Sequence, residues 1–386
     1  MAEWVKRKIS DIGTVVGGAT PSTKKPENYD DGDIAWITPK DLSTFTGRYI
    51  ERGERNITEI GMKSCSTQIL PKNTVLFSSR APIGYVAIAA NEVCTNQGFK
   101  SVVPNENTDP LFLFYLLKYN KDKIEGMGSG TTFKEVSGNT MKNIVVNVPN
   151  DKGVQEKIAA ILGSIDDKIE KNEQINNNLE QQAQAIYQHM FIDNSRSNWT
   201  DGTLSDIADI IMGQSPSGSS YNENGNGTIF FQGRAEFGFR FPSAHLYTTE
   251  PKRMAHPNDT LMSVRAPVGD LNVAYTDCCI GRGLAAIHSK TNHQSFVLYT
   301  MFSLKKQLDV FNGEGTIFGS INRNSLNDMP IFIPSDDILD EFERIVAPMD
   351  LTIRNNYNEI CHLQDIRNSL LPRLMTGEID VSAINL

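Results

Sequence analysis

Two arginines, Arg80 and Arg265, stand in copies of one short motif, Arg-Ala-Pro-x-Gly. A guanidinium group presents a planar fork of donors that suits phosphate, and phosphate contacts position a protein on nucleic acid without reading its bases. The repeated arginines are therefore candidate phosphate contacts; the alternative is that Arg80 hydrogen-bonds the carbonyl groups of its own turn. Ser22 and Ser217 recur in the same way, and Thr20 is either a similar contact or a hydroxyl that caps a turn.

Further basic residues lie in or beside two segments, 23–73 and 218–258, which do not match each other; we call them the divergent segments. Arginine and lysine recognise guanine in the major groove, whereas asparagine and glutamine recognise adenine. For each basic residue, the alternative is an ordinary solvated surface charge. The candidates are Lys24, Lys25, Lys40, Arg48, Arg52, Arg55 and Lys63 in the first segment and Arg234, Arg240, Lys252 and Arg253 in the second.

Motifs that would carry catalysis are not found in the sequence. No Gly-Lys pair exists to build a phosphate-cradling loop, and there is no Asn-Pro-Pro-Tyr-like motif of an amino methyltransferase. Glu250-Pro251-Lys252 has the Glu-x-Lys spacing of metal nucleases but lacks the preceding Pro-Asp. The six histidines are scattered, and adjacent Cys278 and Cys279 are interpreted as small buried side chains. We therefore expect no catalytic residue, metal or cofactor in this chain.

The elements that must position the candidate residues are duplicated along the chain. Trp4-x4-Ile-Ser-Asp-Ile returns as Trp199-x4-Leu-Ser-Asp-Ile, 195 residues later, whereas Arg80 and Arg265 are 185 residues apart. The first copy therefore carries about ten extra residues in its divergent segment, and the chain is a tandem repeat. The repeat also includes Gly128-x-Gly130-Thr131-x-Phe133 and Gly313-x-Gly315-Thr316-x-Phe318.

Each copy ends in a stretch whose apolar residues alternate in steps of three and four, the seam of a coiled coil. A polar residue in such a seam fixes register, and Asn172 and Asn356 occupy the same position in the two stretches. Helices of roughly 37 residues would be about 55 Å long. Arg367 stands where the seam expects an apolar residue, and we expect it to extend to the surface. The predicted seam residues are Ile158, Leu162, Ile165, Ile169, Asn172, Leu179, Ile186, Phe342, Val346, Met349, Ile353, Asn356, Ile360, Leu363 and Leu370.

The pattern within each copy predicts an α+β protein with two mostly β modules, each followed by a long helix. Short strands separated by Gly, Pro and Asn are expected at Ile34–Ile37, Thr74–Phe77, Tyr85–Ala89 and Ile144–Val148. Helices are expected at 110–120 and 295–308. Antiparallel pairing of the two long helices would give pseudo-two-fold symmetry. The predicted boundaries are 1–152 for the first module, 153–192 for the first helical region, 193–337 for the second module and 338–386 for the second helical region.

Composition favours a cytoplasmic protein without a membrane segment. The chain has 386 residues, a net charge of −9 and a pI near 5.3, which argues mildly against binding nucleic acid unassisted. The five cysteines form no C-x-x-C pair, which is typical of reduced thiols in the cytosol. The most apolar stretch, Leu111–Leu117, is too short to span a bilayer.

The motifs together resemble the specificity subunit of type I restriction-modification systems, over nearly the whole chain. The resemblance implies that two target-recognition domains each read half of a bipartite, non-palindromic double-stranded DNA target. It also implies that the paired helices set the gap and dock two methyltransferase subunits, which restriction subunits then join. Met212, in place of the first glycine of Gly17-Gly18, departs from the first copy. The most specific strings are Gly18-x-Thr20-Pro21-Ser22, Ser79-Arg80-Ala81-Pro82-x-Gly84, Gln182-Ala183-x-Ala185-Ile186-Tyr187-x-x-Met190-Phe191 and Leu370-Leu371-Pro372-Arg373-Leu374-Met375-Thr376-Gly377-Glu378-Ile379.

Two other classes of protein are alternatives to this interpretation. One is a single chain that both reads and modifies DNA, which the missing catalytic motifs disfavour. The other is a coiled-coil scaffold without DNA recognition. A scaffold has no reason to keep the shared parts of the repeat while its divergent segments vary, so the sequence favours the non-catalytic DNA-specificity subunit.

Overall fold

The computed structural model describes residues 3–80, 82–130, 134–195, 199–313 and 319–384. Ala81 of the first Arg-Ala-Pro motif lies outside the described residues, as do Thr131 and Phe133 of the first copy and Gly315, Thr316 and Phe318 of the second. The chain divides into two compact units. Unit 1 comprises Met1–Glu173 and Asn358–Leu386, and unit 2 comprises Gln174–Tyr357.

Each unit contains strands, short helices and part of both long helices. The α-helices are α1 (Ile9–Ile12), α2 (Pro39–Ser43), α3 (Glu59–Lys63), α4 (Pro110–Tyr119), α5 (Lys121–Gly126), α6 (Gly138–Asn143), α7 (Lys152–Tyr187), α8 (Leu204–Ile207), α9 (Gln294–Ser303), α10 (Lys305–Asp309), α11 (Arg323–Asn327) and α12 (Asp336–Met375). The strands are β1 (Trp4–Lys8), β2 (Gly13–Gly17), β3 (Ile34–Ile37), β4 (Tyr49–Ile50), β5 (Arg55–Ile57), β6 (Val75–Ser79), β7 (Ile83–Ala89), β8 (Cys94–Thr95), β9 (Lys100–Pro104), β10 (Val145–Pro149), β11 (Thr200–Thr203), β12 (Ala208–Met212), β13 (Tyr221–Asn222), β14 (Thr228–Phe231), β15 (Tyr247–Thr248), β16 (Met254–Ala255), β17 (Thr260–Ser263), β18 (Leu271–Val273), β19 (Cys278–Ile280), β20 (Leu284–Ser289) and β21 (Pro330–Ile333).

Unit 1 is built on a five-stranded sheet of order β2-β9-β6-β7-β4 and a three-stranded sheet of order β5-β3-β8. The antiparallel pair β1 and β10 joins the start of the module to its end, with Trp4 opposite Pro149. Helix α4 begins where the Asp109 carboxylate accepts from Phe112 N at 2.7 Å. Its residues Phe112–Leu117 are all buried, because the helix packs between the large sheet and α7.

Unit 2 repeats this plan with a four-stranded sheet of order β12-β20-β17-β18 and a five-stranded sheet of order β13-β15-β14-β19-β16. Strands β11 and β21 form the pair that joins the ends of the module, as β1 and β10 do in unit 1. Helix α9 is the counterpart of α4 and contributes Phe296–Met301 to the core. The predicted α+β fold, with a long helix after each mostly β module, is confirmed.

The long helices α7 and α12 lie antiparallel within each unit. In unit 1, Asn172 Nδ2 donates to Glu359 Oε2 at 2.8 Å, and Asp166 lies further back along α7, opposite Arg367. In unit 2, Asn356 Nδ2 donates to Asn176 Oδ1 at 2.8 Å. The predicted seam residues are all buried or half-buried.

Arg367 differs from expectation. Instead of extending to the surface, it donates from Nη1 to Asp166 Oδ1 at 2.7 Å, and its side chain is only 23% exposed. The physical reason is that Asp166, itself buried in the helix pair, needs a charged partner.

The segment after α12 folds back onto unit 1. Gly377 ends the helix with a φ of 76°, and a Cβ at this position would lie 2.4 Å from Trp4 Nε1. Only glycine satisfies both the left-handed backbone and this close approach. Beyond it, Val381 is buried in the core of unit 1. Within the described residues, no helix combines the length and apolar character needed to cross a membrane.

Candidate nucleic-acid interface

In unit 1, aromatic side chains hold the loop that follows β2. Trp36 on β3 donates from Nε1 to Ala19 O at 3.2 Å, and Tyr29 donates from its hydroxyl to Pro21 O at 2.7 Å. The Arg55 guanidinium lies 4.1 Å from the centroid of the Tyr29 ring, a cation–π contact. The loop is therefore fixed against the three-stranded sheet, whose middle strand carries Trp36. The candidates that it leaves exposed are Ser22, Lys24 and Lys25.

Other candidates of the first module already have polar partners. The pairs are Thr20 with Gln97, Lys40 Nζ with Glu54 Oε2 at 2.7 Å, and Lys63 Nζ with Glu59 Oε2 at 2.8 Å. Exposed ion pairs of this kind contribute at most about 1 kcal/mol, so DNA phosphate can replace the carboxylate. Arg52 is exposed and lines, together with Lys40, a depression of about 510 Å³.

The turns that carry Arg80 and Arg265 are closed by serines. Ser78 Oγ donates to Pro82 O at 2.8 Å, and Ser263 Oγ donates to Pro267 O at 2.7 Å. Each serine hydroxyl also accepts a backbone amide across the turn, from Tyr85 N at 2.8 Å in the first copy and Asp270 N at 2.9 Å in the second. Sequence reasoning missed these serines, although the shared string Ser-x-Arg-Ala-Pro-x-Gly contained the signal.

The arginines of these turns occupy equivalent places. Arg80 pairs through its backbone with Glu135, and Arg265 with Ser320. Neither guanidinium hydrogen-bonds a residue within the described ranges. Within the described residues, it is the serines that hydrogen-bond the proline carbonyls of these turns. Arg265 is exposed and lines a depression of about 340 Å³ together with Arg282, a second basic residue that sequence reasoning missed.

The remaining candidates of the second module lie on the surface of unit 2. Arg234 Nη1 donates to Asp270 Oδ2 at 2.7 Å, which is an exposed ion pair. Ser217 shares a hydrogen bond of 2.8 Å with Ser219. Lys252 and Arg253 are exposed at the start of β16.

Arg48 and Arg240 do not lie on the expected surface. They are 6% and 5% exposed and bind carboxylates of the long helices, so they are unavailable to DNA and leave the set of candidates. Burial lowers the pKa of Arg48, but hydrogen bonds to Glu170 and Asp167 outweigh this effect and raise it overall. Burial also lowers the pKa of Arg240. Its neighbours Tyr299, Asp350 and Glu180 outweigh this effect and raise the pKa above its ordinary value. Both guanidinium groups therefore stay charged inside the protein.

Several known proteins are similar to this chain in sequence. Residues 1–181 match the model of the type I restriction modification DNA specificity domain. The MjaIX type I restriction enzyme specificity subunit of Methanocaldococcus jannaschii is 32% identical over 99% of this chain and 95% of its own length. The putative MjaX specificity subunit of the same organism is 28% identical over 98% of this chain and 94% of its own length.

The fold is also shared with a solved structure. The S subunit of a type I restriction-modification system from M. genitalium aligns with a TM-score of 0.61, covering 97% of this chain and 96% of its own. That pair is 17% identical, so the likeness concerns the fold alone. The long match to the M. jannaschii subunit confirms the resemblance seen in the sequence, and the chain belongs to the family of type I restriction enzyme specificity subunits.

Proposed function

We propose that the two modules read the two halves of a bipartite, non-palindromic DNA target, and that α7 and α12 set the gap between the halves. The observation that carries this proposal is the combination of a shared arginine turn with a divergent segment in each module. Arg80 and Arg265 occupy equivalent places in the two modules and leave their guanidinium donors unused within the described ranges. A contact common to both halves suits phosphate, whereas segments that differ suit the reading of different bases.

In this proposal the modules are residues 1–152 and 193–337, and the helical regions are residues 153–192 and 338–386. The shared turns position each module on the phosphate backbone, and the exposed residues of the divergent segments reach the base edges. The proposed DNA contacts are Thr20, Ser22, Lys24, Lys25, Lys40, Arg52, Arg55, Lys63, Arg80, Ser217, Arg234, Lys252, Arg253 and Arg265.

The chain acts, in this proposal, as a non-catalytic cytoplasmic subunit. Two methyltransferase subunits dock on the helical regions and perform the methyl transfer, and restriction subunits join them to cut unmodified DNA. The net charge of −9 supports this arrangement, because an acidic chain gains from basic partners that complete a clamp around DNA.

Single-molecule sequencing that detects methylated adenine tests the proposal. DNA from cells that carry the gene is compared with DNA from cells that lack it. A two-part motif with a fixed unspecified gap should lose its methylation on deletion. The double variant Lys24→Gln/Lys25→Gln should change the preference at one half of the motif only, and Lys252→Gln/Arg253→Gln at the other half only, so each variant is the control for the other.

Three results would reject the proposal. A deletion that leaves all methylation unchanged, while a methyltransferase co-purifies with the chain, would exclude a role in target choice. Methyl transfer by the purified chain alone would favour a single-chain enzyme. A complex that assembles on the helices but binds DNA without sequence preference would favour a scaffold.

A further inference from the structure

In unit 1, an arginine of the divergent segment reaches α7 and is buried there. Arg48 Nε donates to Glu170 Oε1 at 3.0 Å, and Nη2 donates to Asp167. Arg48 Nη1 reaches the backbone oxygen of Gly163 at 3.3 Å. Asp167 and Glu170 lie about one turn apart on α7, so the planar guanidinium is held at several points on one helix face.

In unit 2, an arginine of the other divergent segment takes the same role. Arg240 Nη2 donates to Glu180 Oε2 at 2.9 Å, and Nη1 donates to Asp350 Oδ1 at 2.9 Å. Glu180 belongs to α7 and Asp350 to α12, so one guanidinium ties the module to both long helices. Tyr299 on α9 completes the contact, with its hydroxyl 3.2 Å from Arg240 Nη2.

One tyrosine–aspartate pair beside each arginine belongs to the shared parts of the repeat, whereas Asp167, Glu170 and Glu180 have no acidic counterpart there. Tyr115 donates to Asp166 at 2.6 Å, and Tyr299 donates to Asp350 at 2.9 Å. Each member of the first pair is 184 residues from its counterpart in the second, the same spacing as Asn172 and Asn356. Arg48 and Arg240 are instead 192 residues apart, in segments that do not match. Two unrelated segments therefore deliver a guanidinium beside the same tyrosine–aspartate pair, although the carboxylates that bind it differ between the two units.

Such a contact fixes geometry more strongly than an apolar contact would. A buried guanidinium must keep its carboxylates, because a buried charge without a partner is strongly unfavourable. Its donors have fixed directions, so a rotation of the module against the helices would break several charged hydrogen bonds at once.

We propose that Arg48 and Arg240 are positioning residues that fix the orientation of each module on the long helices and thereby aim each module at its half of the DNA target. This inference rests on the proposed bipartite function. It assigns to two arginines a role in specificity that does not involve contact with DNA.

The test uses the full chain assembled with its methyltransferase subunits and a DNA library randomised in both half-sites. Arg48→Gln should lower methylation of the preferred first half-site roughly 10- to 100-fold, since a small misplacement of reading groups is costly, while the preference at the second half-site persists. Arg240→Gln should lower methylation of the preferred second half-site by a similar factor, while the preference at the first half-site persists. The double variant Asp167→Asn/Glu170→Gln should reproduce the effect of Arg48→Gln, although it removes no positive charge.

Two further measurements separate positioning from other roles. The slope of log K against log salt should match wild type in Arg48→Gln, because no phosphate contact is lost. Arg48→Lys, which keeps the charge but not the fork, should restore only part of the half-site preference. Thermal unfolding identifies any variant that fails to fold. If Arg48→Gln or the double carboxylate variant does not fold, the single variant Glu170→Gln is used in its place, because Asp167 then remains bound to Arg48.

Distinct outcomes overturn the inference. A shallower salt slope for Arg48→Gln, with the carboxylate variant unchanged in preference, would make Arg48 a DNA contact. Folded variants with wild-type preference at both half-sites would make the contact merely structural. A wild-type complex without any two-part preference would instead overturn the proposed function, and this inference with it.

Discussion

At the scale of single residues, Arg80 and Arg265 can bind a ligand because, among the described residues, serine hydroxyls, and not the arginine side chains, hydrogen-bond the carbonyl groups of their turns. Ser78 and Ser263 donate to the proline carbonyls of the two turns, so the arginines are not needed to close them. Gly84 and Gly269, two residues after the prolines, have φ of 98° and 86°, a backbone conformation that glycine adopts without strain. A guanidinium held on a rigid turn loses little freedom on binding, which suits a phosphate contact.

The first prediction concerns these arginines. Arg80→Gln should weaken binding of the assembled complex to every DNA sequence alike and reduce the slope of log K against log salt by about 1, since one phosphate contact is lost. Fluorescence anisotropy at several salt concentrations measures this. Lys142→Gln is the matched control, because Lys142 is also basic, is exposed on α6 and lies outside both the divergent segments and the set of proposed DNA contacts. A loss of base preference at unchanged slope would assign Arg80 to base reading instead.

A second residue-scale prediction concerns pH. Burial raises the pKa of Glu343 above 4.5, although Phe296 N, which donates to it at 3.0 Å, lowers it in part. The folded state therefore favours the protonated carboxyl, and its contribution to stability is present below pH 4.5 and lost as pH rises through the folded pKa. Glu343→Gln should gain stability relative to wild type over that rise, measured by urea unfolding at successive pH values.

Glu59 provides the control of opposite sign. The hydrogen bond from Lys63 lowers the pKa of Glu59, so its contribution is present above the unfolded pKa and lost as pH falls through the folded value. Glu59→Gln should therefore differ from wild type least in acid. Parallel curves for Glu343→Gln and wild type at all pH values would contradict the prediction for Glu343.

At the scale of elements, the two asparagines of the helix pair, Asn172 and Asn356, differ in whether their hydrogen-bond acceptor is exposed or buried. Asn172 donates to Glu359, a carboxylate on the surface, whereas Asn356 donates to Asn176, which is 3% exposed. Removal of the first donor exposes its acceptor to water, and removal of the second leaves a buried amide unpaired.

This difference leads to the third prediction. Asn172→Leu should stabilise the chain by about 1–2 kcal/mol, because it adds buried apolar surface. The helix pair should also lose its fixed register, which light scattering would detect as a mixture of oligomers. Asn356→Leu should gain less or lose stability, because the unpaired Asn176 amide costs about 1–3 kcal/mol. Urea unfolding of both variants measures the contrast. Equal gains for the two would show that the Asn176 contact contributes nothing.

Elements were predictable where the pattern was local. The strand at Ile34–Ile37 matches β3, and the helix expected at 110–120 matches α4, whose first turn Asp109 caps. The helix expected at 295–308 is in fact two, α9 and α10, with a break at Leu304 that no glycine or proline marks. Apolar periodicity predicts helix content but carries no signal for such a break.

The long-range contacts of the candidate site were not predictable in the same way. Arg48 looked like a surface charge because buried arginines are rare, and its partners lie 115 to 122 residues away. Arg240 lies 110 residues from Asp350. Such pairs depend on how the module meets the helices, which no local pattern encodes.

At the scale of the whole molecule, the excess of acidic residues has a consequence for binding. We predict that the chain alone binds target DNA with a Kd in the micromolar range or weaker, close to non-specific binding. Assembly with methyltransferase subunits should tighten binding about 100-fold or more. Anisotropy of the same labelled target, with and without the partner subunits, measures the gain, and a scrambled DNA controls for non-specific attraction. Tight, sequence-selective binding by the chain alone would contradict the prediction.

The placement of Arg48 and Arg240 in the divergent segments, with their carboxylates on the helices, has a consequence for any chimera in which one divergent segment is replaced. A donor gene that supplies a new divergent segment must also supply a guanidinium at the right point, or it leaves Asp167 and Glu170, or Glu180 and Asp350, facing a neutral surface. The loss of stability is larger in unit 2, where Glu180 and Asp350 are 17% and 21% exposed, than in unit 1, where Asp167 is 70% exposed and stays solvated. We therefore expect a chimera to keep the stability of the parent chain best when the incoming segment carries an arginine at this place.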